Sequence, residues 1–206
     1  MRWLKPLLLR AVLWSLGAPL AFAADAPGED LFKKGSALIQ PYMAVVDRES
    51  ADPTTPQAKQ QIAEGIRLLT LVTQQDSQNW SAFWFIGKGE QARRNHAAAE
   101  RAFQRAFEIN PGQSAVGREL MIESICAGHS ADAVRVAEKS VSLNPRDSEM
   151  VANLALAYLA DGQIGKARRA VNESIVLEPR DEITHALSQE ITAVEDGRKP
   201  RNYCPP

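Results

Sequence analysis

Three histidines, two cysteines and one glycine-spaced stretch are the places where this chain could do chemistry. His96, His129 and His185 are far apart, and no second ligand stands beside any of them at metal-binding spacing. Gly87-Lys88-Gly89-Glu90-Gln91-Ala92 has the letters of a dinucleotide loop, but a helical pattern runs through it and no strand precedes it, so Gly87 is better explained by helix packing. No nucleophile elbow or Walker sequence occurs anywhere. The chain is therefore expected not to be an enzyme, with no cofactor and no metal. Asn79-Trp80-Ser81 and Asn172-Glu173-Ser174 fit the glycosylation pattern, at a density that chance supplies. Cys126 and Cys204 remain, and their state depends on compartment.

The first residues bear on that compartment. Arg2, Lys5 and Arg10 are followed by a largely apolar run from Ala11 to Phe22, and Ala21-Phe22-Ala23 has the small-x-small form of a signal peptidase site. Residues 1–23 are expected to be a cleaved signal, since a run of about 12 residues is short against the roughly 20 that a spanning helix needs. An uncleaved anchor is the alternative. The expected location is exported, periplasmic if bacterial and otherwise secreted, where a disulfide persists. Losing three basic residues leaves 21 of the 24, against 25 acidic, a net charge of about −4. That balance disfavours nucleic acid or an anionic membrane surface as partner. Over 206 residues, 45% hydrophobic and 24% charged content fits a globular chain.

The elements that position these residues repeat every 34 positions. Pro111, Pro145 and Pro179 share that spacing, as do Ala99, Ala133 and Ala167, then Ala106, Ser140 and Ser174, then Ile86, Leu120 and Leu154. Several independent columns at one period mark a repeat array. Within each period the apolar spacing predicts two helices: from Ser81 and Ala97 in the first, from Ser114 and Ala131 in the second, from Asp147 or Ser148 and Ile164 in the third. Asn95, Ser114 and Ser130 are candidate N-caps, and Gly128 and Gly162 are helix stops. Upstream, a helix from about Leu31 is bent or interrupted by Pro41, and a second starts near Gln57 after a proline-rich turn. A last helix spans Asp181 to about Glu195, followed by a basic tail.

These residues resemble the tetratricopeptide repeat, whose signature is matched by Phe83, Ile86-Gly87, Ala99, Phe103, Ala106 and Pro111, and by Leu154-Ala155, Tyr158, Ala167 and Pro179. The second unit departs at Gly117 and Met121. The resemblance implies an all-α, right-handed solenoid of helical hairpins: a degenerate helix pair over 24–79, three repeats over 80–113, 114–147 and 148–181, and a capping helix with tail over 182–206. Phe103, Ile109, Val141, Leu143, Val171 and Leu177 are expected to fill the space between units.

In that family the first helices line a concave groove that holds a peptide or partner helix. Carried over by spacing, the groove residues are Trp84, Lys88 and Gln91, then Arg118, Ile122, Ile125 and Cys126, then Ala152, Leu156 and Leu159. Lys88 and Arg118 would grip a carboxylate, and Trp84 would anchor an aromatic contact. This implies a non-catalytic adapter for a partner protein or peptide. Alternatives are a carrier or sensor of a small hydrophobic ligand in the same groove, self-coverage of the groove, and self-assembly through Phe85 and the end helices. With Cys126 on the groove face, the tail is long enough to bring Cys204 back to it, so a disulfide pinning the tail across the groove is expected; two free thiols are the alternative. Oligomeric state is open.

Overall fold

The computed structural model describes residues 27–43 and 50–204. The expected signal segment, and Val45 and Val46, lie outside the described residues. Within them the chain forms nine α-helices and no strand. Four antiparallel hairpins come first: α1 (Pro27–Ile39) with α2 (Pro56–Gln75), α3 (Trp80–Ala92) with α4 (His96–Ile109), α5 (Ser114–Cys126) with α6 (Ser130–Leu143), and α7 (Ser148–Ala160) with α8 (Ile164–Leu177). A single helix, α9 (Glu182–Glu195), closes the series. α1 starts before Leu31, and Pro41 sits in a 3-10 turn, Gln40–Tyr42, that ends it.

Small residues let each hairpin close. A methyl group on Gly87 would stand 2.5 Å from the Phe103 ring, so the ring of α4 packs on the bare backbone of α3. Gly35 and Gly65 play the same part between α1 and α2, where an added Cβ at Gly65 would meet the Gly35 carbonyl at 2.9 Å. Gly117 takes the place of a larger residue because Ser140 Oγ would lie 2.5 Å from any Cβ there. Ala99, Ala133 and Ala167 are fully buried at the equivalent crossings. Phe103 and Val171 are buried between helices, whereas Leu143, at the last turn of α6, is 41% exposed and fills no inter-unit space.

Helix starts depart from the expected caps in an informative way. Asn79, Asp147 and Asp181 cap the first helices α3, α7 and α9 with side-chain oxygens. Ser114 and Ser130 instead lie inside their helices, behind Gln113 and His129, and Asn95 stands at the cap position without a capping bond. The second helices follow a different device. Arg94, Gly128 and Gly162, in register with the repeat, adopt positive φ (58°, 83° and 72°), and the next N–H but none closer bonds back five residues: Asn95 to Glu90 O, His129 to Ser124 O, Gln163 to Tyr158 O. This is the Schellman closure, which ends one helix and aims the chain into the next without a side-chain cap.

Arg94 is the one non-glycine residue in that left-handed position. Arg94→Gly should raise stability by roughly 1 kcal/mol, and Gly162→Ala, which meets nothing within 4 Å, should lower it by about as much for purely conformational reasons. Denaturant unfolding of the two variants checks the opposite signs.

Candidate functional site

First helices of successive units touch one another, α1 with α3, α5 with α7 and α7 with α9, whereas the second helices approach one another less. The stack therefore curves with the first helices inside. Residues 34 apart line up along that inner side: Trp84, Arg118, Ala152 and Ala186 in one row, Lys88, Ile122, Leu156 and Glu190 in the next.

At the N-terminal end the expected cations are already engaged. Lys88, 6% exposed, places Nζ 3.1 Å from Glu119 Oε2, and Gln91 Nε2 donates to Glu119 Oε2 (3.0 Å) and Glu123 Oε1 (2.8 Å). His96 Nδ1 lies 2.8 Å from the other oxygen of Glu123, itself 1% exposed. This buried network ties α3 to α5. Arg118 bonds Glu149 at 2.8 Å and Glu119 at 3.3 Å; burial opposes its charge, but those two carboxylates outweigh burial and raise its pKa. A carboxylate from outside would have to displace these partners. Trp84 is half-buried against the core cluster that includes Phe103, Val116 and Leu120, with Phe85 edge-on at 5.1 Å and its indole N–H buried without a partner among the described residues. Phe85 in turn packs edge-on against Phe32 of α1 at 5.7 Å and is half-buried. Ile122 and Ile125 are half-buried, and Leu159 is fully buried beneath the groove.

At the C-terminal end the groove holds the chain's own tail. Gly197, at φ 95°, turns the chain after α9. Arg198 pairs with Glu190, Arg201 donates its backbone N–H to Glu190 Oε1 at 3.1 Å and sets Nε 2.9 Å from Oε2, and Glu190 is only 4% exposed. Tyr203 packs on the Ala155, Leu159 and Ile191 cluster with its hydroxyl buried. Burial, then the Glu190 charge, push the phenol up to about 12. Cys204 is disulfide-bonded to Cys126 on α5, with Cα atoms 5.4 Å apart. Between α7 and α9 a cleft of about 260 Å³ is left, lined by Ala152, Leu156, Ile183 and Leu187 and walled by Arg201 and Tyr203.

Among solved structures, the chain is similar to MamA (residues 41 to end) from Desulfovibrio magneticus RS-1 (TM-score 0.60, 17% identity, 81% of this chain and 86% of that one). The chain has the tetratricopeptide fold. It is also similar to YrrB, described as a TPR protein with an unusual peptide-binding site (TM-score 0.56, 13%, 69% and 74%), and to the first TPR of Spaghetti (RPAP3) bound to the HSP90 peptide SRMEEVD (TM-score 0.52, 15%, 59% and 97%). No family model and no curated protein matches the sequence. No group of metal-ligating side chains and no helix long and apolar enough to cross a membrane occurs among the described residues.

Sequence reasoning missed Glu119, Glu123 and Glu190. Glu190 was readable, because the row through Lys88, Ile122 and Leu156 continues to it at the same spacing. The other two lie off the groove columns, and nothing in one repeat announces them.

The tetratricopeptide stack and its strap yield two expectations. Alkylation without reductant should leave the mass of the protein unchanged, and Cys204→Ser should cost roughly 2–4 kcal/mol in chemical unfolding, the loop closed being 78 residues. The raised Tyr203 pKa means the neutral phenol favours docking; that contribution is complete below the ordinary value near 10 and is lost as pH climbs through about 12. Tyrosinate absorbance in the parent against Tyr203→Phe reads it.

Proposed function

We propose that this protein is an exported, non-catalytic scaffold that holds a partner protein or peptide on the inner side of its stack, in the periplasm if the source is bacterial and otherwise outside the cell. The observation that carries this reading is the strip formed by Trp84, Arg118, Ile122, Ile125 and Leu156, groove side chains that stay half-buried along the first helices α3, α5 and α7. An apolar strip with one guanidinium at its edge is suited to an extended segment whose side chains alternate between pocket and solvent. Two solved structures of the same fold, the first TPR of Spaghetti (RPAP3) bound to an HSP90 peptide and YrrB with its unusual peptide-binding site, support the reading. Nucleic acid is a poor fit to an acidic exported chain.

The carrier reading rests on the α7–α9 cleft. Its volume, about 260 Å³, falls below the roughly 300–1,000 Å³ of sites that enclose a drug-sized molecule, and this favours the scaffold.

Tagged protein isolated from its own host should retain a polypeptide in stoichiometric amount and no extractable lipid. Arg118→Glu and Ile122→Glu should each lower that retention about tenfold or more, with helicity by circular dichroism unchanged. Retention unaffected by both, or a stoichiometric small molecule in an organic extract, refutes the scaffold.

A further inference from the structure

The tail lies in the C-terminal half of the groove. Its contacts are those an external segment would make: two arginines on a buried carboxylate, an aromatic ring on an apolar cluster, and an irregular backbone that borrows Glu190 for one of its own N–H groups. Among the described residues, Glu190 bonds and pairs with Arg198 and Arg201 of this tail. Take the tail away, and a carboxylate now 4% exposed is left facing an apolar cleft that already has Ile183 on its lip, 80% exposed. An uncompensated carboxylate in such a place demands a cation.

We propose that the tail is a built-in competitor for the C-terminal half of the groove, and that the partner segment accepted there carries the tail's own chemistry: arginine two residues before an aromatic ring. This deepens the scaffold reading and rests on it. Tethering explains how so short a segment holds its place, since a chain fixed at both ends is present at millimolar effective concentration. The Cys126–Cys204 bond supplies the second tether. A dithiol reductant opens it by giving two electrons and two protons, leaving Cys126 and Cys204 as thiols and itself becoming a disulfide. Beyond its peptide link to α9 the tail is then held in the groove by its side chains alone, and a partner segment can displace it.

The test uses the full chain and a fluorescent peptide of the sequence from Gly197 to Pro206, with serine in place of its cysteine. Anisotropy should show the peptide binding the Cys126→Ser/Tyr203→Ala protein, whose own tail is untethered and lacks its ring, at least about tenfold more tightly than it binds the disulfide-bonded parent. Glu190→Gln in the untethered protein should remove that gain. Because Glu190→Gln also alters α9, a peptide with glutamate at both arginine positions tests the same contact on unchanged protein, and should not bind. Equal binding to bonded and untethered protein, or undiminished binding of the charge-reversed peptide, overturns the proposal. Arg118 and Ile122 lie outside the tail's contacts, so partner retention that depends on them while the peptide fails to bind leaves the scaffold standing and removes only the tail-like segment.

Discussion

Each helical hairpin has apolar surface on two sides and a partner helix for only one of them. The stack exists because the next hairpin covers the second side, and closeness is what makes the cover effective. Phe103 rests on the backbone of Gly87, and Ala99, Ala133 and Ala167 sit at zero exposure where a larger side chain would hold the helices apart. The same need has to be met at both ends. α1 and α2 meet it at one end through the Gly35 and Gly65 crossing, and α9 meets it at the other. α9 has no second helix of its own, and the tail supplies the missing cover with Tyr203.

Close stacking also decides which polar groups are buried. Lys88, Glu119 and Glu123 are all buried, and they are tolerable only because Gln91 and His96 complete the set of bonds between α3 and α5. Removing one member would leave a buried charge without its partner, which costs far more than the network contributes. The network therefore acts on geometry more than on stability, fixing the register of one unit against the next at the place where their first helices are not held by direct backbone approach.

What was legible in the sequence follows from this division. Contacts inside a unit recur every 34 residues, so the prolines, the alanine columns and Gly87 announced the hairpins and the all-α stack. Contacts between units break the period. Glu119 answers Lys88 from a column that holds Phe85, Asn153 and Leu187 in the other first helices, and no repeat pattern could predict a carboxylate there. The 34-residue spacing aligns the row, whereas the carboxylates that engage Lys88 and Arg118 do not follow from it. Ser114 and Ser130 were misread for a related reason: serine suits a cap, but the turn before each helix is set by the backbone path out of the previous one, and in the second case the left-handed glycine governs it.

The row through Lys88, Ile122, Leu156 and Glu190 shows one problem solved in two ways. It begins with a cation, passes through two apolar side chains and ends with an anion, and both charges are buried. Lys88 is neutralised by Glu119, a residue of the adjacent helix that cannot leave without unstacking the units. Glu190 is neutralised by Arg198 and Arg201, which belong to no helix and are held by a turn at Gly197 and a single covalent bond at Cys204. A counter-ion built into the stack makes the N-terminal pair part of the architecture. A counter-ion on a detachable strap makes the C-terminal carboxylate a position whose partner can be exchanged while every helix stays where it is.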